Sequence, residues 1–165
     1  MTARDALVAV ATLLAPEIPQ VSRNAAAALD DPAAYVAEHA DRLDDRGIDE
    51  PFPLLPWIAL VDALTDHDLL AEVDWKEAAD EIAGRLRALH SAPAGVAWQE
   101  LAESELPTYE FLELAGGRLL GTGTALAVLD IESDCYPLVL LPATRADDLV
   151  TAAKAAGFAA EVFGR

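Results

Sequence analysis

The sequence predicts a single α+β domain in which a helical N-terminal two-thirds (residues 1–117) packs on a small C-terminal sheet (residues 118–165). Three observations predict it. Up to Gly116-Gly117 the chain is rich in alanine and places its larger apolar residues at helical spacing. From Arg118 the texture changes to two nearly continuous apolar runs, Thr122–Ile131 and Tyr136–Leu141, separated only by Glu132-Ser133-Asp134-Cys135. Helical periodicity then returns briefly before a last apolar stretch, Phe158–Phe163, so the C-terminal third reads strand, strand, helix, strand. A chain of 165 residues is long enough to bury about two-thirds of its unfolded surface around one core.

Each element has a local cause. Thr2 and Asp5 have the spacing of a capping box, and Leu7, Val10, Leu13 and Leu14 follow at helical spacing until Pro16 and Pro19. A weaker helical stretch covers Ser22 to Leu29. Asp31-Pro32 supplies an N-cap acid followed by proline at the first helical position; Tyr35, Val36, His39 and Leu43 then share a face until Gly47. The proline-punctuated segment Pro51–Trp57 feeds a helix with Trp57, Leu60, Val61 and Leu64 on one stripe. Asp74 and Glu77 read as the cap of the next helix, with Trp75, Ala79, Ile82, Leu86 and Leu89 on its buried face and Glu81–Arg85 as a solvent-side pair. One or two short helices between Trp98 and Ala115 break at Pro107, and Gly116-Gly117 terminates them. The two apolar runs are apolar on both faces, which means covered on both faces, and their short connection is that of a hairpin. Thr144 and Asp147 cap the final helix, Gly157 closes it, and a right-handed β-α-β crossover is expected around it.

The charge balance narrows the function. Twenty-nine acidic residues against 11 basic ones give a formal charge of −18. A field of that sign repels phosphate backbones and anionic membrane surfaces, so neither nucleic acid nor a membrane is the expected partner. A partner with a basic patch, simple solubility and a compositional bias all account for it. Two lysines against nine arginines, with the alanine excess, have the look of high-GC bacterial coding. Cys135 is the sole cysteine, which excludes an intrachain disulfide or a cysteine metal cluster and fits a reducing compartment. The N-terminal apolar run is short and helix-periodic, unlike a signal peptide, and no stretch reaches about 18 uninterrupted apolar residues. The expected localisation is cytoplasmic.

Chemistry-bearing clusters are few. Asp130, Glu132 and Asp134 would project to one face if the strand continued, on the side of Leu126 and Val128. Three carboxylates at a strand end suit Mg2+ or Ca2+, although the spacing is not that of an EF-hand. The plainer reading is a solvated hairpin whose acids satisfy turn amides. Asp74-Trp75-Lys76-Glu77 pairs two carboxylates and an ammonium beside an aromatic, and also reads as a helix start. His39, His67 and His90 lie on separate segments without metal-ligand spacing, and Asp66-His67-Asp68 reads as a surface histidine between acids. No nucleophile elbow is present, and Gly121-Thr122-Gly123 precedes a strand rather than a helix, so it does not cradle phosphate. Three acids just before Cys135 should raise its pKa and blunt the thiol.

Two of these segments together, Asp74-Trp75-Lys76-Glu77 and Leu129-Asp130-Ile131-Glu132-Ser133-Asp134-Cys135-Tyr136, resemble a family of small bacterial proteins of unknown function. Its pattern is a helical front, a DWK-type helix start, an LDxxSDxY hairpin, then a helix and a terminal strand. The resemblance covers Trp57 to the C-terminus. It supplies no reaction, leaves any cofactor unknown, and draws attention to Asp130, Ser133, Asp134 and Tyr136. The reading that follows is a non-enzymatic interaction domain, of immunity or antitoxin type, that engages a basic protein partner. The alternatives are a divalent-metal or small-ligand site on Asp130, Glu132 and Asp134, with Tyr136 beside them, and a scaffold or assembly subunit. The oligomeric state stays open, because Trp57 and the Phe158–Phe163 strand suit either a core or an interface.

Overall fold

Local signals place most of the helices where the structure, a computed structural model describing residues 1–165, has them. α1 (Ala3–Leu14) begins on a complete capping box, the Thr2 hydroxyl accepting from the Asp5 N–H and the Asp5 carboxylate from the Thr2 N–H. α2 (Pro19–Asp30) is longer at both ends than the weak periodicity suggests. α3 (Pro32–Glu38) starts at Asp31, whose carboxylate accepts from the Ala34 N–H. The helix breaks at His39, and α4 (Ala40–Asp45) resumes beyond it. α5 (Leu55–Asp66) is buried continuously from Leu55 to Leu64, so its stripe widens to the full circumference and it becomes the central helix.

Next comes β1 (Leu70–Asp74), a strand inside the region expected to be helical. Asp74 therefore ends a strand instead of capping a helix. Its carboxylate accepts from the Lys76 N–H and its carbonyl from the Glu77 N–H, closing a tight turn. Aspartate satisfies backbone amides in such turns as readily as at an N-cap, which is why the two look alike in sequence. α6 (Ala79–Arg87) starts after Ala78 with no side-chain cap, and Trp75 is left half exposed outside it. Arg85 donates to the Glu72 carbonyl rather than pairing with Glu81.

α7 (Trp98–Ala102) and α8 (Thr108–Leu120) flank Pro107 as expected, but α8 continues through Gly116-Gly117. Gly116 serves a close approach instead of a helix end. A Cβ on Gly116 would lie 2.5 Å from the Phe163 carbonyl oxygen, because the C-terminal segment crosses the helix there. β2 (Thr124–Asp130) and β3 (Cys135–Pro142) form the expected hairpin. A 3-10 turn over Ala143–Arg145 replaces the expected Thr144–Asp147 cap, then α9 (Ala146–Ala155) leads to β4 (Ala159–Val162).

The sheet has the order β1-β3-β2-β4, with every neighbouring pair antiparallel. β3 and β4 thus run parallel on either side of β2, and α9 joins them as a crossover. Both faces are covered. Ala125, Ala127, Leu129, Val139 and Leu141 face α1, α2, α5 and α9, whereas Leu126, Val128, Leu138 and Leu140 face α6, α7 and α8. Period-two alternation sends successive residues of one strand into two separate cores, so both must be apolar. Trp57 is fully buried and stacks on Phe158 at 4.8 Å between ring centroids, and Phe163 is fully buried as well; both belong to the core of this chain.

One polar network lies inside this frame. Arg46, just after α4, forks between Asp62 of α5 and Glu72 of β1, with Nη2 at 2.7 Å from an oxygen of each. Arg42 adds ion pairs to Asp62 and Asp66. Burial, and then the Asp62 carboxylate, push the nearby Tyr35 phenol up to about 12.

The packing and the network make three substitutions informative. Gly116→Ala should destabilise by about 1–3 kcal/mol in denaturant unfolding, since backbone and not a flexible side chain blocks the new methyl. Gly84→Ala, in the exposed middle of α6 with open space around it, should instead stabilise by about 0.5–1 kcal/mol. For Tyr35, a folded-state pKa above the unfolded value of about 10 favours the native state at lower pH and ceases to do so as pH rises from about 10 to 12. Tyr35→Phe should flatten the alkaline fall in stability over that window and remove a late-ionising phenol from the ultraviolet titration.

Candidate functional site

The residues singled out in sequence converge at the hairpin end of the sheet. β2 and β3 pair from Thr124↔Pro142 to Val128↔Leu138 and then diverge. Beyond that point Leu129 and Asp130 pair with Ala160 and Ala159 of β4, while Pro137, Tyr136 and Cys135 pair with Glu72, Val73 and Asp74 of β1. Pro137 brings no N–H to a ladder, and its place in an inner strand marks where the hairpin splits. Glu132 turns the chain with a φ of 57°.

The split leaves a cavity of about 360 Å³ between the diverging strands, walled by Asp130, Ser133, Cys135, Tyr136, Glu161 and Tyr109. Beside it, sharing Tyr109 and Tyr136, a hollow of about 430 Å³ lies between the Trp75–Ala78 turn and the start of α8. Trp75, Tyr109 and Leu106 are 50%, 45% and 44% exposed there. Tyr109 is held edge-on to Phe163 with ring centroids 5.7 Å apart, and its hydroxyl donates to Glu161 at 3.3 Å. Lys76 Nζ lies 4.7 Å from the Trp75 ring centroid, a cation–π contact at an exposed site. The Thr108 hydroxyl donates to the Glu77 carbonyl at 2.8 Å, which ties the turn to α8.

The two sequence motifs thus adjoin. The Trp75 N–H donates to the Asp134 carbonyl at 2.9 Å, which joins the end of β1 to the hairpin turn. Asp130 accepts from the Glu132 N–H at 2.8 Å and Ser133 from the Cys135 N–H at 3.1 Å, so both brace the turn. The carboxylates do not gather. The strand ends at Asp130, Glu132 and Asp134 sit in the turn, and no group of three or more His, Cys, Asp or Glu side chains is placed to hold a metal ion. Sequence reasoning missed Leu106, Tyr109 and Glu161. Tyr109 beside Pro107 and Leu106 carries no local mark of a site, and only the packing of α8 against β2 and the C-terminal segment brings it to Tyr136.

Cys135 is partly buried at the floor of the split. Burial raises its pKa first, then the Glu72 and Asp74 carboxylates, with Asp134 contributing last. The direction is the one expected, but the main acids come from β1, across the sheet. Alkylation by neutral iodoacetamide should therefore follow a pH profile above that of a free thiol (about 8.5), and Asp74→Asn should move it down.

No helix is long and apolar enough to cross a membrane. Neither the curated proteins nor the solved structures contain a match to the chain. A family match does exist, and it spans residues 6–163, extending well before the Trp57 boundary drawn from the motifs. The chain belongs to that family, described as a domain of unknown function (DUF6630).

Proposed function

We propose that the protein is a non-enzymatic cytoplasmic interaction domain whose hairpin-end surface docks a basic segment of a partner protein, with an immunity or antitoxin role as one concrete form. The observation that carries this reading is the grouping of Trp75, Leu106 and Tyr109, all substantially exposed, around Tyr136 within a rim of Glu77, Glu110, Asp130 and Glu161. Exposed aromatic side chains are the residues that most often dominate binding energy, and a polar rim around them is the usual anatomy of an interface. The acidic rim and the charge of −18 select a basic partner and speed its encounter, and they disfavour nucleic acid and anionic membrane. A lone thiol fits the reducing compartment proposed.

The test is capture from the native host at low salt by the full chain, alongside Trp75→Ala and Tyr109→Ala variants. A basic partner should be retained by the wild type and weakened by about 2 kcal/mol, roughly 30-fold in Kd, by either substitution. It should also be lost near 1 M salt, where the screening length falls to about 3 Å. A partner that binds both variants undiminished, or one that is acidic, would rule the reading out.

A further inference from the structure

The opposite end of the sheet carries a further cavity, of about 500 Å³, where Leu69, Thr124 and Leu141 meet the last turn of α1. Its wall is mostly aliphatic; His90, whose Nε2 lies 3.8 Å from Asp68, is part of it, and the other charged groups, Glu17 and Arg145, give it two poles of opposite sign. The first pole is electronegative. α1 ends with no basic side chain in its last turn, and Pro16 has no N–H to return to the Thr12 carbonyl. The carbonyl end of the helix dipole is therefore uncompensated, and Glu17 stands beside it on the cavity wall. The second pole is Arg145, which makes no ion pair, although Arg4, Arg42, Arg46, Arg118 and Arg165 all do.

One hydroxyl on this wall is an orphan: Ser91 Oγ is buried without a hydrogen bond. A buried hydroxyl without a partner is disfavoured unless something else supplies the bond. Thr124 also lines the wall, and its hydroxyl, which is not among the buried unpartnered atoms, makes no hydrogen bond within the chain.

We propose that this cavity binds a free amino acid with an apolar side chain. Its carboxylate would meet Arg145, its ammonium Glu17 and the carbonyl end of α1, and its side chain the aliphatic wall. A zwitterion answers both poles. An apolar carboxylate alone would leave the α1 carbonyls and Glu17 facing like charge, and an apolar amine alone would face Arg145. The volume lies within the usual range of small-ligand sites, about 300–1,000 Å³.

The experiment is a thermal melt of the full chain with L-leucine and L-phenylalanine at about 10 mM, against N-acetyl-L-leucine and L-leucinamide, which remove one charge each. At least one free amino acid should raise the midpoint by several degrees, and its blocked derivatives should lose most of that shift. Arg145→Ala and Glu17→Gln change exposed side chains, so their ligand-free midpoints should match the wild type. Each should weaken binding about tenfold or more, and Arg145→Ala should bring L-leucine down to the level of L-leucinamide. Absence of a shift with either amino acid would overturn the proposal. So would equal shifts with N-acetyl-L-leucine, or a shift that survives both substitutions.

Discussion

A sheet covered on both faces has no side on which to carry polar chemistry, and this constraint organises the molecule. Every position of β2 from Ala125 to Leu129 and of β3 from Leu138 to Leu141 is buried, in one core or the other. Polar and aromatic groups that must reach solvent are pushed to the two ends of the strands and to their outer edges. Cavities accordingly open at both the hairpin end and the α1 end of the strands. The same constraint explains why Pro137 matters: only at the end of a ladder can a strand lose a hydrogen bond and turn the loss into a cleft.

Covering both faces leaves β1 with a difficulty of its own. It is an edge strand with Glu72 in its middle, paired on one side with β3, and too short to persist alone. Arg46 offsets this by clamping Glu72 to Asp62 of the most deeply buried helix, and Arg85 occupies the Glu72 carbonyl. A fork that satisfies two carboxylates at once is a task for arginine rather than lysine, because its planar donors are already arranged. The clamp keeps β1 in register, and that register sets Asp74 opposite Cys135 and Trp75 against the hairpin turn. The hairpin-end surface therefore depends on a polar network on the far side of the strand.

How much of this was legible in sequence follows from the range of each interaction. The Thr2–Asp5 box, the Asp31-Pro32 start and the hairpin around Ser133 are fixed within a few residues, and each was readable. β1 was not, because Leu70–Asp74 becomes a strand only by pairing with a segment far along the chain, while Asp74 and Glu77 imitate a helix cap nearby. Gly116-Gly117 misled for the same reason. The missing side chain at Gly116 answers Phe163, not the end of α8. At the site, Asp74, Trp75, Asp130, Ser133 and Tyr136 were readable as two motifs, but their union and the contribution of Tyr109 required the register of β1 on β3 and the packing of α8. The three-carboxylate reading depended on the strand continuing past Asp130, and the turn at Glu132 ends it.

The distribution of the few cations sharpens what the net charge means. Five of the nine arginines are committed to ion pairs with acids of their own chain, and Arg85 to a backbone carbonyl. Such pairs cancel locally and leave the remaining acids to set the outer field. That field is not uniform in consequence. At the hairpin end it surrounds exposed aromatics, where an incoming cation can be desolvated against a ring as well as paired with a carboxylate, and Lys76 over Trp75 already samples that geometry within the chain. At the α1 end Arg145, which makes no ion pair, lines the same cavity as Glu17 and the end of α1, so groups of opposite sign share one cavity. An acidic composition alone serves solubility. Acidity in which a cation free of ion pairs and the exposed aromatics fall at the two ends of the sheet is an arrangement that composition does not require.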